Sequence, residues 1–173
     1  ILHIARVSGL TLRETIRRLR DAGLDSIPGG GAEILDDEIR RRISPHKCTT
    51  AEWLEVHRVA HGLGMRTTAT MMFGCGETLE QRVNHLEVIR QLQEETGGFT
   101  AFIPWTFQRR NTALGGSIRN QPTAVEYLKT VAVSRLYLEN IPNIQASWVT
   151  QGLKLCQISL CFGANDVGSI MIE

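Results

Sequence analysis

The stretch from Gly64 to Gln81, GMRTTATMMFGCGETLEQ, decides the fold because it holds one complete passage from a helix end through a strand into a new helix. Gly64 follows a run with helical period, and glycine commonly stands just past the last turn of a helix. The segment TTATMMF is short and strand-like. Thr78 stands three residues before Gln81, which is the spacing of a helix N-terminal capping box. Helix, strand and helix in direct succession predict a βαβ unit with parallel strands.

The capping signal occurs four times along the chain. In each case the Thr hydroxyl can accept a hydrogen bond from an early backbone N–H, while the Glu or Gln side chain can reach back to the N–H of the Thr. Glycines at positions 23, 64 and 97 are predicted to end three of these helices. The four pairs are Thr11–Glu14, Thr49–Glu52, Thr78–Gln81 and Thr123–Glu126.

Strand-like runs follow the helices, so the two kinds of element alternate without a linker. This alternation predicts an α/β fold, a TIM-type (β/α) barrel with about five strand–helix units in a single domain over residues 1–173. A complete eight-stranded barrel needs about 250 residues, so the chain corresponds to part of one. The predicted strands are LDSIP (24–28), TTATMMF (67–73), FTAFIPW (99–105), NIQASW (143–148) and CFGAND (161–166).

The composition limits the partners and the compartment. A formal net charge of +1 argues against nucleic acid or an anionic membrane surface as the main partner. No apolar run approaches the roughly 20 residues that span a bilayer. The cysteines lie at irregular separations without a CxxC pattern, and we expect free thiols in a reducing compartment. The sequence therefore predicts a cytoplasmic protein that binds neither nucleic acid nor a membrane.

Polar or glycine-rich residues follow each predicted strand. Because catalytic groups in (β/α) barrels gather at the carboxyl ends of the strands, these segments predict the rim of one active site. The alternative is that they are capping and turn residues. The longest connection, Thr106–Gln121, is polar and contains glycine, which is typical of an active-site loop. The strand-end segments are GGGAE, FGCGE, PWTFQ, SWVTQ and GANDVG.

The glycine triplet before Glu33 is not predicted to hold a phosphate. A P-loop needs GxxxxGK followed by Ser or Thr, and a dinucleotide-binding turn needs GxGxxG, whose last glycine would fall on Ile34. Glu33 would also repel a phosphate. A carboxylate beside exposed backbone N–H groups suits a ribose diol or an ammonium group better, and glycines let such a ligand approach the backbone closely.

Two groups of titratable residues are predicted to be structural. His57 and His61 lie four residues apart, as zinc ligands can, but the zinc-protease pattern needs Glu where this chain has Arg58. We therefore expect both histidines on a solvated helix face, and no metal site on this chain. The run from Asp36 to Arg42 is expected to form a charged helix surface.

Several long stretches resemble the cyclic dehypoxanthine futalosine synthase family of the radical S-adenosylmethionine (SAM) superfamily. Among them are AGLDSIPGGGAEIL, EWLEVHRVAHGLGMRTTATMMFG and FGANDVGS, and the likeness covers almost all of the chain. The resemblance implies an oxidoreductase of menaquinone biosynthesis by the futalosine pathway, which cyclises the nucleoside-type substrate dehypoxanthine futalosine. It also implies S-adenosylmethionine and a 4Fe–4S cluster as cofactors, and an external electron donor.

The resemblance gives roles to residues at the strand ends. Residues expected against S-adenosylmethionine are Gly30, Gly31, Glu33, Met72, Gly74 and Glu77. Residues expected to face the substrate are Gln108, Asn111, Asn165 and Asp166. The candidates for a catalytic role are Asp166 and Cys75, which stands where the family usually has histidine.

The cluster-binding pattern of the family, CxxxCxxC, is absent from this sequence. It would lie on strands upstream of Ile1, so activity is expected to require that region and the chain alone to be inactive. Two alternatives stay open. The aminodeoxyfutalosine and deazaflavin (FO) synthases share this barrel, although SIPGGGAE and TAFIPWTFQ favour the cyclase. The chain could instead be a non-catalytic barrel fragment that binds a partner chain or a small ligand.

Overall fold

A computed structural model describes residues 1–118 and 121–168, and over this part helices and strands alternate as the sequence predicts. The strands are β1 (Ser26–Ile27), β2 (Arg66–Phe73), β3 (Phe99–Thr106) and β4 (Asn143–Ile144). The helices are α1 (Leu2–Ser8), α2 (Leu12–Asp21), α3 (Asp37–Ile43), α4 (Thr50–Gly62), α5 (Leu79–Thr96), α6 (Ala124–Tyr137), α7 (Trp148–Gln151) and α8 (Leu153–Ser159). None of these helices is long and apolar enough to cross a bilayer.

The four capping pairs open helices where the sequence predicts them. In each pair the threonine side chain accepts a hydrogen bond from the backbone N–H three residues later, and the threonines are Thr11, Thr49, Thr78 and Thr123. In the boxes before α4 and α5, the acid or amide also accepts from the N–H of the threonine. Helix α1 has no side-chain cap, so no local signal predicts it.

The four strands form one parallel sheet in the order β1-β2-β3-β4. Strands β2 and β3 have 8 residues each and pair along their length, whereas β1 and β4 contribute 2 residues each. A parallel bridge between Gln145 and Asp166 marks the place of a fifth strand. Parallel strands joined in sequence order through helices make this part of a TIM-type (β/α) barrel, and the predicted fold class is confirmed.

Three predicted strands are too long. The run 24–28 pairs with β2 only at Ser26 and Ile27. The run 143–148 leaves the sheet after its third residue, because the Ser147 N–H donates to the Tyr127 hydroxyl (2.9 Å) instead of to a neighbouring strand. The run 161–166 pairs only at its last residue. Its beginning belongs to the 3₁₀ helix Leu160–Phe162, which continues α8 directly.

Side chains alternate between the two faces of β2. One set is fully buried in the core or beneath the helices: Thr67, Ala69, Met71 and Phe73. The other set shares its face with the β3 residues that pair with it, since partners in adjacent strands point the same way. We call this surface the inner face, and it consists of Thr68, Thr70, Met72, Ala101, Ile103 and Trp105.

The main core lies between the sheet and helices α5 and α6. Its largest fully buried side chains include Phe73, Phe102, Ile89, Tyr127 and Leu138. A second cluster joins α2, β1 and α4 through Ile16, Ile27, Val56, Ala60 and Met65. Each fully buried large apolar side chain stabilises the fold by about 1.5–3 kcal/mol, so these contacts fix the sheet that carries the strand ends.

Candidate functional site

The glycine segment after β1 lies directly on β2. A Cβ atom at Gly29 would stand 2.6 Å from both the Ala69 Cα and the Thr68 carbonyl oxygen, so only glycine fits there. The Gly29 N–H donates to Thr68 Oγ1 (2.9 Å), and Thr70 Oγ1 donates to the Gly29 carbonyl (2.7 Å). Two threonines of the inner face therefore hold the start of this segment, which we call the glycine loop (residues 29–35).

Glu33 lies inside the glycine loop, and its carboxylate is already paired. Its backbone is left-handed (φ 43°), and its carbonyl accepts from the Met72 N–H (2.9 Å). The side chain is only 9% exposed and forms an ion pair with Lys47 Nζ. The structure thus brings Glu33 to the carboxyl end of β2, where a ligand would meet a pair of opposite charges rather than an isolated acid.

Two buried side chains that the sequence does not single out hold the same loop. Arg40 is 4% exposed and donates to carbonyl groups of the loop, so the prediction that it lies on a charged helix surface is wrong. His85 Nδ1 accepts from the Leu35 N–H (2.9 Å). Burial lowers the pKa of His85 to about 3, so the ring is neutral and Nδ1 keeps its lone pair. Neither contact has a local sequence signal, because the partners lie 8 and 50 residues apart.

The turn after β2 is built around the Glu77 carboxylate. This carboxylate accepts from the N–H groups of Gly74 (2.7 Å) and Cys75 (2.8 Å) and from Arg82 Nε (2.6 Å). Burial alone would raise the pKa of Glu77, but the backbone N–H donors and Arg82 outweigh it and hold the pKa below its usual value. The side chain is 0% exposed. Glu77 therefore fixes the shape of the turn, and its expected contact with S-adenosylmethionine stays a prediction.

Cys75 is not arranged as a reactive thiol. The residue is fully buried, and its Sγ lies 3.3 Å from a carboxylate oxygen of Glu77. Burial and the Glu77 charge raise the pKa of the thiol to about 12. Because the thiolate is the nucleophilic form of cysteine, Cys75 stays unreactive near neutral pH.

Two pockets adjoin these strand ends. A pocket of about 440 Å³ lies beside the turn after β2, with Gly74, Glu77 and Arg82 in its wall. A larger one, about 670 Å³, runs along β1 between α1 and α4. Its lining includes Gly30 and Lys47, the ion-pair partner of Glu33. The larger volume lies within the range of roughly 300–1,000 Å³ that is typical for small-molecule sites.

Helix α7, which follows β4, meets the end of β3 at Thr106. Gln108 Nε2 donates to the Thr106 carbonyl (2.9 Å) and hydroxyl (3.0 Å), and Gln151 reaches the same hydroxyl from α7 (2.7 Å). Asn111 is exposed and left-handed (φ 59°) on the loop that follows. Gln151 has no sequence signal beyond its place in the strand-end segment SWVTQ.

Asn165 and Asp166 point to opposite sides of the sheet. The Asn165 side chain accepts from the Ile144 N–H (2.9 Å) and from Arg135 Nη2 (2.7 Å) on α6. Since Ile144 pairs with Phe102 near the start of β3, the expectation that Asn165 lies at the carboxyl end of a strand is wrong. Asp166 pairs with Gln145, and its carboxylate accepts from the Gly168 N–H (3.0 Å). Its catalytic and substrate roles stay predictions.

His57 and His61 belong to a buried polar network, so their prediction on a solvated helix face is wrong. His57 is 2% exposed, and its Nδ1 lies 2.9 Å from Thr67 Oγ1. His61 Nε2 lies 2.7 Å from the same hydroxyl, and its Nδ1 lies 2.6 Å from Thr96 Oγ1. Burial lowers the pKa of His57 to about 3 and that of His61 to about 4. Both rings turn inward because the Thr67 hydroxyl, on the buried face of β2, gives them a partner.

The residues present do not fit an iron–sulfur cluster. Cys48, Cys75, Cys156 and Cys161 are free thiols in different parts of the fold. Over residues 1–118 and 121–168, no group of three or more His, Cys, Asp or Glu side chains could hold a metal ion. A cluster would therefore need ligands other than those of the described residues.

Two known protein families match parts of this chain. Residues 3–89 match the Radical SAM superfamily, and residues 96–173 match the CofH/MqnC C-terminal region. The chain belongs to the radical SAM superfamily. The glycine loop and the turn after β2 lie in the first of these regions, whereas Gln108, Gln151 and Asp166 lie in the second.

Three curated relatives are similar in sequence to this radical SAM chain over almost all of its length. It is 48% identical over 171 residues to cyclic dehypoxanthine futalosine synthase of Streptomyces coelicolor, covering 99% of this chain and 42% of the relative. It is 44% identical over 175 residues to aminodeoxyfutalosine synthase of Thermus thermophilus, covering 100% and 47%. It is 47% identical over 178 residues to 5-amino-6-(D-ribitylamino)uracil–L-tyrosine 4-hydroxyphenyl transferase 1 of Methanosarcina acetivorans, covering 100% and 48%. The chain thus spans about half the length of these relatives or less.

Proposed function

We propose that this chain forms part of the ligand-binding half of a radical SAM enzyme that cyclises dehypoxanthine futalosine. The observation that carries the proposal is the 48% identity to the Streptomyces synthase over 99% of the chain. The contiguous strand ends support it, because the glycine loop after β1 contacts the carboxyl end of β2 through the hydrogen bond from the Met72 N–H to the Glu33 carbonyl. Activity on this proposal requires cluster ligands from a region outside these residues.

The larger pocket, together with the Glu33 carboxylate that pairs with its Lys47, suits S-adenosylmethionine, which combines an ammonium group, a carboxylate and a ribose diol. Glu33 can accept hydrogen bonds from an ammonium or from ribose hydroxyls, and Lys47 can pair with a carboxylate. Gly30 lets the ligand approach the backbone without meeting a side chain. S-adenosylmethionine supplies the radical chemistry when it is bound at a reduced cluster. The role of this chain is to bind and orient it.

The inner face can receive the ring system of a nucleoside-type substrate. Met72 and Trp105 are cross-strand partners there, and Trp105 is only partly buried although it is large and apolar. Ile103 lies on the same face. A planar ring stacks well against an indole and displaces water from it, so this surface favours an aromatic substrate over a flexible polar one.

The test uses the longer gene product that contains this chain, after anaerobic reconstitution with iron and sulfide. We expect reductive formation of 5′-deoxyadenosine, and a cyclic product from dehypoxanthine futalosine. Formation of aminodeoxyfutalosine, or transfer of the 4-hydroxyphenyl group of tyrosine to 5-amino-6-(D-ribitylamino)uracil, would instead keep the superfamily and replace the reaction. No 5′-deoxyadenosine, or a gene with no CxxxCxxC upstream of Ile1, would refute the enzymatic proposal and favour a non-catalytic barrel fragment.

Glu33 provides the sharper test of the ligand assignment. Glu33→Gln removes the charge but keeps the shape, and the lost charge-assisted hydrogen bond should raise the KM for S-adenosylmethionine about tenfold or more. Glu38→Gln is the matched control, because Glu38 is exposed on α3 close to the same loop. Equal KM values for the two variants would count against a role of Glu33 in binding.

A further inference from the structure

Arg40 joins the two segments that carry Glu33 and Lys47. Its guanidinium donates to the carbonyls of Ala32 and Gly31 (3.0 Å) on one side. On the other side, Nε and Nη2 both donate to the Cys48 carbonyl (3.0 and 2.6 Å). Ala32 directly precedes Glu33 and Cys48 directly follows Lys47, so one planar group ties together the backbones on either side of the ion pair.

This bridge depends on the shape of the guanidinium and not only on its charge. The nearest carboxylate oxygen, Asp37 Oδ1, is 4.0 Å from Arg40 Nε and already accepts from the Thr50 N–H and hydroxyl (2.8 Å each). Backbone carbonyls are therefore the main partners of a side chain that is almost fully buried. A guanidinium offers donors in a rigid fork, whereas a lysine ammonium is a point charge that cannot span the same acceptors.

The glycine loop needs such an external restraint. Gly31 and Glu33 both have positive φ values, 84° and 43°. A glutamate holds a left-handed conformation only where its surroundings over-determine it. The Arg40 bonds restrain the carbonyls just before Glu33, and the Met72 N–H restrains the carbonyl of Glu33 itself.

We infer that Arg40 is a positioning residue that sets the spacing and orientation of the Glu33–Lys47 pair for ligand binding. Arg40 touches no ligand on this account and acts through the two backbones that it joins. The functional part of the inference rests on the proposed function, whereas the structural part does not. The two parts therefore have separate measurements.

The structural part is tested on the 173-residue chain by hydrogen–deuterium exchange of Arg40→Lys and Arg40→Met. The reporter amides are those of Gly29, Leu35 and Met72, which are hydrogen-bonded to or from the loop. We expect exchange to be about tenfold faster at these sites in both variants, with β3 unchanged. Arg41→Lys is the control, because Arg41 is exposed on the same helix. Unchanged reporter amides, or equal acceleration throughout the sheet, would overturn the inference. Global unfolding of both variants would overturn it as well, because the proposed effect is local.

The functional part is tested with the reconstituted longer gene product. We expect Arg40→Lys to raise the KM for S-adenosylmethionine about tenfold while kcat changes less than about threefold, because binding geometry is lost and chemistry is not. A fall in kcat with unchanged KM would contradict a positioning role. If the wild-type protein forms no 5′-deoxyadenosine, the proposed function fails, and the exchange measurement still decides whether Arg40 holds the loop.

Discussion

The Thr67 hydroxyl is the centre of a hydrogen-bond chain whose proton positions can be assigned from the donors. Thr96 Oγ1 donates to the Leu92 carbonyl (2.7 Å), so it must accept from His61 Nδ1–H. His61 Nε2 is then bare and accepts from the Thr67 hydroxyl, whose oxygen accepts from His57 Nδ1–H. One hydroxyl thus satisfies two imidazole rings in opposite roles.

Thr67→Val removes this hydroxyl with little change in shape. It leaves His57 Nδ1–H and His61 Nε2 without their partner, and a buried unsatisfied polar group costs about 1–3 kcal/mol. His57 is buried and bears the full cost, whereas His61 is partly exposed and regains water. We expect the free energy of unfolding to fall by about 2–4 kcal/mol, a large part of the roughly 5–15 kcal/mol of a typical domain.

The assay is urea unfolding of the 173-residue chain at neutral pH, followed by circular dichroism. Thr130→Val is the matched control, because within the described part of the chain the Thr130 hydroxyl bonds only to the Glu126 carbonyl of its own helix (2.9 Å). The control should lose less than about 1 kcal/mol. Equal losses in the two variants would refute the assignment of Thr67 as the shared partner of both rings.

Three further predictions concern acid, backbone packing and thiol chemistry. The pKa values of His57 and His85 are lowered to about 3, so the unfolded chain binds more protons than the folded chain below about pH 6.5. The free energy of unfolding should therefore fall on acidification by up to about 1.4 kcal/mol per pH unit for each ring. A free energy of unfolding that stays constant in urea melts from pH 7 to 4 would contradict this. Gly29→Ala should lower the free energy of unfolding by more than about 2 kcal/mol, because its Cβ would lie 2.6 Å from backbone atoms of β2. An unchanged melting temperature would contradict this and show that the glycine loop can move away from β2. Ellman's reagent should modify the exposed Cys161 quickly and Cys75 only after unfolding, whereas rapid native labelling of Cys75 would contradict its burial.

The four helices that begin at a capping pair and the two long strands were predictable because their signals are local. A threonine and its capping partner lie three residues apart, so the sequence displays both members of the pair. The ends of the shorter strands depend on distant groups instead. The Ser147 N–H donates to the Tyr127 hydroxyl instead of to the sheet, and no residue near position 147 predicts that contact.

The site was predictable at the level of strand ends and not at the level of individual contacts. Glu33 stands out as a carboxylate after glycines, but its partner Lys47 lies 14 residues away. Arg40 is one of three consecutive arginines, and the sequence does not tell which of them turns inward. His57 and His61 look like surface residues until the buried Thr67 hydroxyl is placed between them.

At Glu33 the left-handed backbone lowers the stability of the fold, whereas the carboxylate of the same residue is proposed to serve ligand binding. A glutamate in this conformation costs the fold about 1–2 kcal/mol, whereas glycine adopts it freely. A variant library selected only for heat resistance should therefore enrich glycine at position 33 and discard the carboxylate. Engineering of a more robust chain would have to exclude this position from the search, because the most stable sequence and the binding-competent sequence differ there.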